Sequence, residues 1–305
     1  VEACLSFHEN KVRSGFLRPL PIELLPAGTP DSESDPLIGC QIGPYELREC
    51  IGTGGMSNVY LAVRPGDFEQ RVAIKVIKYG QDSREMMRRF RNETRFLASL
   101  SEHPNIAALY DAGITKDGKP YLVLEYVEGQ TIDLYCDEHQ LDIRDRLSLF
   151  RIVCDAVQYA HRHTVIHRDL KPGNVFLTRE GAKILDFGLA KVMSPEGEAG
   201  GGAEQLQTAA GMIVGTAAYL RRDEVRGELP DARSDLFSLG IVLFEMLAGE
   251  RPFLGVTGAE TRAAILRDEP SAPALAESAI SRDLLRILKR CLEKEPELRF
   301  QSALD

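Results

Sequence analysis

The chain has 305 residues, 44% of them hydrophobic and 27% charged, a balance that supports a packed core and excludes a disordered or fibrous class. Its 37 Lys and Arg stand against 46 Asp and Glu, for a formal charge of −9. That charge disfavours a broad nucleic-acid footprint, so no nucleic-acid partner is expected and any phosphate ligand must be held by local chemistry.

Residues 1–40 read as an extension and linker. Val1–Val12 has the pattern of a short helix, while the prolines at 19, 21, 26, 30 and 36 and the run Asp31-Ser32-Glu33-Ser34-Asp35 oppose helix and sheet alike. Val1 stands where a start methionine would, and the last residues before Asp305 read as an unfinished amphipathic helix, so a segment of a longer protein is expected.

From Tyr45 the chain shows short β-rich runs at Tyr45–Cys50, Asn58–Val63, Arg71–Lys78, Ala107–Ala112 and Tyr121–Tyr126, separated by turn signals such as Asp117-Gly118. These predict an antiparallel sheet. One helix interrupts them from about Ser83 to Leu100, with Met86/Met87, Phe90 and Leu97 at helical spacing. After Gly129 helices take over. Asp142–His163 carries Ile143, Leu147, Phe150, Val153, Val157 and Ala160 on one stripe, and Leu236–Leu247 is apolar nearly all round, as a buried central helix would be. The longest apolar stretch, Leu236–Ala248, falls short of the ~20 residues a membrane span needs, so no membrane contact is expected within this segment. The class is therefore α+β, with a small β-rich lobe at about 45–127 before a larger α-helical lobe at about 128–305. Cys4, Cys40, Cys50, Cys136, Cys154 and Cys291 form no C-x-x-C pair, and are expected to be reduced thiols of a cytoplasmic chain.

Three stretches carry chemistry. Ile51-Gly52-Thr53-Gly54-Gly55-Met56-Ser57-Asn58-Val59-Tyr60 joins two predicted strands instead of opening a helix, which excludes a dinucleotide fold. Glycines at 52, 54 and 55 let backbone amides approach phosphate oxygens, although a tight turn would use them as readily. Val72-Ala73-Ile74-Lys75 places a lysine at the end of an apolar run. Phe90, Glu93 and Leu97 share a helix face, so Glu93 lies on the buried stripe and needs a partner, and a Lys75–Glu93 pair is expected.

The densest stretch is His167-Arg168-Asp169-Leu170-Lys171-Pro172-Gly173-Asn174, between predicted strands at Val165-Ile166 and Val175–Leu177, followed by Lys183-Ile184-Leu185-Asp186-Phe187-Gly188. Asp169, Asn174 and Asp186 supply oxygen ligands and a proton acceptor, and Lys171 supplies positive charge. The set suits Mg²⁺ and phosphoryl groups better than zinc or thiol chemistry, with metal-assisted hydrolysis left open on residue types alone. His167 reads as a packing residue, His161 and His163 as the end of a helix, and His103-Pro104-Asn105 as a turn.

In this order, the Gly-rich loop, Val-Ala-Ile-Lys, helix Glu, His-Arg-Asp-Leu-Lys-Pro-x-Asn and Asp-Phe-Gly resemble the protein kinases, over about Tyr45 to Asp305. The Gly-Gly-Met variant of the loop looks most like bacterial, eukaryotic-like Ser/Thr kinases. The resemblance implies a bilobal fold with a catalytic domain at 41–305, ATP and Mg²⁺ as cofactors, and transfer of the γ-phosphate to Ser/Thr hydroxyls. Its implied partners are protein substrates and, for autophosphorylation, a second copy in a transient dimer. By that resemblance Gly52, Gly54 and Gly55 would cover the ATP phosphates, with Ile51, Val59 and Ala73 around the nucleotide. Lys75 would contact the α/β-phosphates and Glu93 would hold Lys75. Asp169 would receive the substrate hydroxyl, Lys171 would steady the γ-phosphate, and Asn174 with Asp186 would hold the metal. Leu124 would be the gatekeeper, with backbone groups of Glu125 and Val127 offered to adenine. Lys171, two residues after Asp169, matches the Ser/Thr form of the loop. Asp235 would brace that loop, Thr216 would shape the substrate site, and Thr208 is the expected phosphorylation site. Two departures stand out: Ser57 replaces the third loop glycine, and Leu220-Arg221-Arg222-Asp223-Glu224 stands where Ala-Pro-Glu is usual, with Asp223 set to meet Arg299. The second departure is the one support for an alternative, a catalytically weak kinase-like binding or scaffold module.

Overall fold

A computed structural model describes residues 35–54, 57–66, 68–78, 84–187, 230–270 and 280–305. The β-rich runs become β1 (Gln41–Ile42), β2 (Tyr45–Thr53), β3 (Ser57–Arg64), β4 (Gln70–Ile77), β5 (Leu109–Ile114) and β6 (Pro120–Glu125). They form one sheet in the order β1-β2-β3-β4-β6-β5, and every pairing is antiparallel. Two-residue alternation sorts its side chains between the faces. Tyr60, Ala62, Val72, Ile74, Val76 and Val123 pack outward into a cluster closed by Ile42, Tyr45 and Leu47. The pairings Val59↔Lys75↔Leu122 and Leu61↔Ala73↔Leu124 put those six residues on the inner face. Part of that face is covered by α1 (Arg84–Leu100), whose Phe90, Met87 and Leu97 pack with Ile77 and Leu122.

The second lobe opens with β7 (Gln130–Thr131) and α2 (Ile132–Glu138), then α3 (Ile143–Arg162). Asp142 caps α3 by accepting the Asp145 N–H at 2.8 Å, and His163 closes it. A hairpin of β8 (Val175–Thr178) and β9 (Gly181–Ile184) joins β7 in a three-stranded sheet. The central helix α4 (Ala232–Ala248) starts with a capping box between Asp231 and Ser234 and stops at Gly249, whose φ of 72° no other residue type adopts as cheaply. Every residue from Ser234 to Phe244 is buried. One side of α4 (Leu236, Leu239, Val242, Met246) meets α3 and the β8–β9 hairpin, and the other (Phe237, Ile241, Phe244) meets α5 (Gly258–Arg267) and α6 (Arg282–Cys291). Among the described residues no helix is long and apolar enough to cross a membrane.

The lobes are stitched by residues 103–107, which begin with the predicted turn His103-Pro104-Asn105. Ile184 N–H donates to Asn105 O at 2.8 Å, Ala107 N–H to Ile184 O at 2.9 Å, and Asn105 Nδ2 to Ala182 O at 2.7 Å. Two expectations are corrected. Val165-Ile166 forms no strand, because Val165 N–H turns back onto Ala160 O at the end of α3. The stretch to Asp305 is bends and a turn instead of a helix, with the Asp305 carboxylate accepting from Gln301 and Ser302 N–H. The expected helix at Val1–Val12 and the prolines up to residue 30 lie outside the described residues.

Candidate active site

The loop after α3 is held from below by α4. Asp235, in the first turn of α4 and fully buried, accepts the backbone N–H of His167 at 2.7 Å and of Arg168 at 3.0 Å, and His161 Nε2 lies 2.8 Å from the same carboxylate. Burial pushes the Asp235 carboxyl upward, but the His161 hydrogen bond and the neighbouring histidines outweigh it and hold it below the ordinary carboxylate range. His167 is fully buried as well. Its Nδ1 accepts the Asp169 N–H at 3.2 Å, and its Nε2 lies 2.9 Å from Leu185 O, a carbonyl that can only accept, so the ring is a neutral Nε2–H tautomer. Burial lowers its pKa accordingly. These bonds hold two non-glycine residues in left-handed backbone, Arg168 at φ 67° and Asp186 at φ 61°. Each costs about 1–3 kcal/mol, and such strain persists only where surrounding contacts over-determine it.

Above this base Lys171 Nζ donates to Asp169 Oδ2 at 2.8 Å, while Asn174 Nδ2 donates to Asp169 O at 2.7 Å and to Oδ2 at 3.1 Å. A 3₁₀ turn at Pro172–Asn174 brings the amide into place, and Leu185 N–H donates to Asn174 O at 2.8 Å, linking this loop to the Asp186 turn. With its nitrogen engaged, Asn174 has its side-chain oxygen left to ligate a cation. Lys75 comes from the inner face of the first lobe, is buried to 5% exposure, and pairs with Asp186 Oδ1.

That pairing corrects the expected Lys75–Glu93 bridge. Glu93 sits half-buried between Phe90 and Leu97 on α1, but among the described residues the ion pair on Lys75 comes from across the cleft. A buried ammonium is satisfied by whichever carboxylate the packing brings within reach, and here that is the residue two past the end of β9.

Further residues of the predicted site belong to the sheet of the first lobe. Ile51 and Gly52 lie in β2, Gly52 opposite Val59, and Ala73 lies two residues before Lys75 on the same face. Gly54 N–H donates to Ser57 O at 2.9 Å to shape the Gly-rich hairpin. Leu124 and Glu125 end β6, and Val127 follows just past the sheet. Gly55, Gly188, Thr208, Thr216 and Asp223 lie outside the described residues. Arg299 is buried and donates to three carbonyls, Glu293 O, Arg233 O and Lys294 O, at 2.8–3.1 Å.

Two lysines were missed by sequence reasoning. Lys183 donates at 2.7 Å to the carboxylate of Glu125, which also accepts Ala108 N–H at 3.1 Å, so one side chain joins β9, the entry to β5 and the end of β6. Lys78 Nζ donates to Gly54 O at 2.6 Å. Each sits where a strand pattern reads as a solvent-facing charge, and no local signal distinguishes them.

A family model described as protein kinase domain matches residues 45–303. The chain is 37% identical over 268 residues to the serine/threonine-protein kinase PknB of Mycolicibacterium smegmatis, covering 86% of this chain and 41% of that protein. It is 34% identical over 274 residues to the serine/threonine-protein kinase PrkC of Bacillus subtilis, covering 88% and 40%. The chain thus spans about two fifths of the length of these curated relatives. Among solved structures, the Mycobacterium tuberculosis PknI kinase domain superposes with a TM-score of 0.62 at 26% identity, over 87% of this chain and 94% of that one. With the cleft between a β-sheet lobe and a helical lobe, these likenesses agree on one conclusion: the chain belongs to the protein kinase domain family.

Proposed function

We propose that this chain transfers the γ-phosphate of ATP to serine and threonine hydroxyls of proteins, its own Thr208 included. The observation that carries the reading is the meeting of Lys75, Asp186, Asn174, Asp169 and Lys171 in one cleft, from both lobes. The donor set fits the cofactors: a carboxylate and an amide oxygen are hard ligands suited to Mg²⁺, while a buried ammonium and a glycine hairpin suit polyphosphate. Bound MgATP supplies the phosphoryl group and the divalent charge that offsets it.

The protein's share is position and charge. Asp169, steadied by Lys171 and Asn174, orients the incoming hydroxyl and receives its proton. Lys171 keeps positive charge beside that carboxylate, where negative charge grows on the transferring group. Asn174 and Asp186 would hold the metal, Lys75 would serve the α/β-phosphates, and Gly52, Gly54 and Gly55 would cover them. Ile51, Val59 and Ala73 would wall the nucleotide, with backbone of Glu125 and Val127 meeting adenine. The working unit is 41–305, preceded by the linker 1–40. It acts in the cytoplasm, where ATP and reduced thiols coexist, on protein partners and on a transient second copy, without nucleic acid or membrane contact from this segment.

Incubation with labelled ATP, Mg²⁺ and casein, beside an Asp169→Asn control, tests the reading. Label on casein with wild type and a loss of about 10²-fold or more in the control are expected. Absence of transfer by the wild type, or transfer that survives in the control, refutes it.

A further inference from the structure

One contact outside the cleft comes from upstream of the residues the family model matches, 45–303. Asp35 places its two carboxylate oxygens on different partners: Oδ1 accepts the Leu37 N–H at 3.0 Å and Oδ2 accepts the Tyr60 phenol at 2.8 Å. Leu37 packs against the outer-face cluster of the sheet, and Gly39 N–H to Leu47 O at 2.8 Å with Leu47 N–H to Cys40 O at 3.0 Å lays this flank along β2. Tyr60 is fully buried, and a phenol inside an apolar cluster needs a partner for its O–H. Burial pushes its pKa up to about 12, so it remains a donor. Asn58 Nδ2 in turn donates to the Tyr60 oxygen at 3.1 Å, and Asn58 pairs with Thr53, the last pair before the tip of the Gly-rich hairpin.

We propose that Asp35 is a positioning residue for nucleotide binding, holding the Gly-rich hairpin through Tyr60 and Asn58. The proposal rests on the kinase reading and adds to it a residue outside the matched domain. The physical need is plain. Glycines at 52 and 54 leave the hairpin little side chain with which to hold itself, so its freedom has to be limited from behind. Affinity for a ligand that requires one hairpin geometry falls in proportion to the fraction of time that geometry is populated. A chain of three side chains from the flank to the last ladder pair raises that fraction.

The test uses the full chain as wild type, Asp35→Ala, Tyr60→Phe and the double variant. KM for ATP and kcat on casein are measured, with hydrogen exchange of a peptide covering 51–60. Each single variant is expected to raise KM for ATP about threefold to tenfold with kcat within about twofold. Exchange should quicken in the hairpin and not in α4, and the double variant should lose less than the sum of the singles because both remove the shared Asp35–Tyr60 bond. Unchanged KM, unchanged hairpin exchange, additive losses or a fall confined to kcat each overturns the role of Asp35. A wild type that transfers no phosphate sinks the kinase reading itself, whereas an active wild type with unaltered variants sinks this inference alone.

Discussion

The Asp235 carboxylate accepts the backbone N–H of His167 at 2.7 Å, which ties the first turn of the buried helix α4 to the loop that carries Asp169. Because the Arg168 N–H and the His161 ring share that carboxylate, Asp235→Ala leaves a buried and a part-buried amide donor and a ring nitrogen without their acceptor. We expect a loss of about 3 kcal/mol or more in urea unfolding, together with a fall in phosphoryl transfer. A loss below about 1 kcal/mol would show that the loop does not depend on this brace.

Lys183 and Glu125 join β9 to the end of β6 and are both largely shielded, at 13% and 22% side-chain exposure. Lys183→Met keeps the stem and removes the charge, leaving the Glu125 carboxylate with Ala108 N–H. Between the values for exposed and buried pairs, about 1–2 kcal/mol of stability should go. KM for ATP should rise, since the backbone of Glu125 and Val127 is proposed to meet adenine. An unchanged denaturation midpoint and KM would reduce the pair to a surface contact.

Acid should weaken the fold before any carboxylate titrates. Burial lowers the pKa of His167, and of His103, where the nearby Asp155 opposes it only in part. Both therefore have folded values below the unfolded one near 6.5. Below about pH 6.5 the unfolded chain takes up protons that the folded chain refuses, so their contribution is complete above that pH and drains away as the pH falls toward the folded values. Asp235 shifts in the same direction, with a window below about pH 3.9. Urea midpoints should fall between pH 7.5 and 5.0, and His167→Phe should flatten the slope. A midpoint that holds or rises over that range contradicts this account.

Gly240 lets α4 pack tightly against the end of α6. A Cβ there would meet Cys291 Cβ at 2.7 Å and the Leu292 side chain at 3.0 Å. Alanine gains about 1 kcal/mol in helix propensity, yet overpacking two helices costs about 1–3 kcal/mol. Gly240→Ala should lower Tm by a few degrees in a thermal melt, and a higher Tm would show that the helices separate without strain.

Much of this was legible in the chain itself. The strands near Tyr45, Asn58, Arg71 and Tyr121 and the helices ending at Leu100 and His163 emerged where period-two or period-3.6 apolarity ran unbroken, because such patterning acts within a few residues. The chemistry of residues 167–174 was readable for the same reason, since its groups lie within one loop. Val165-Ile166 misled because two apolar residues satisfy a strand pattern and a buried turn equally.

Partner choice was another matter. Lys75 meets Asp186 across 111 residues, Lys183 meets Glu125 across 58, and Tyr60 meets Asp35 across 25. Composition and periodicity establish that a buried ammonium or phenol needs an acceptor. Which acceptor it finds depends on how sheet, loop and lobe pack against one another, and only the three-dimensional fold decides that, because hydrogen bonding acts over about 3 Å of space whatever the distance along the chain.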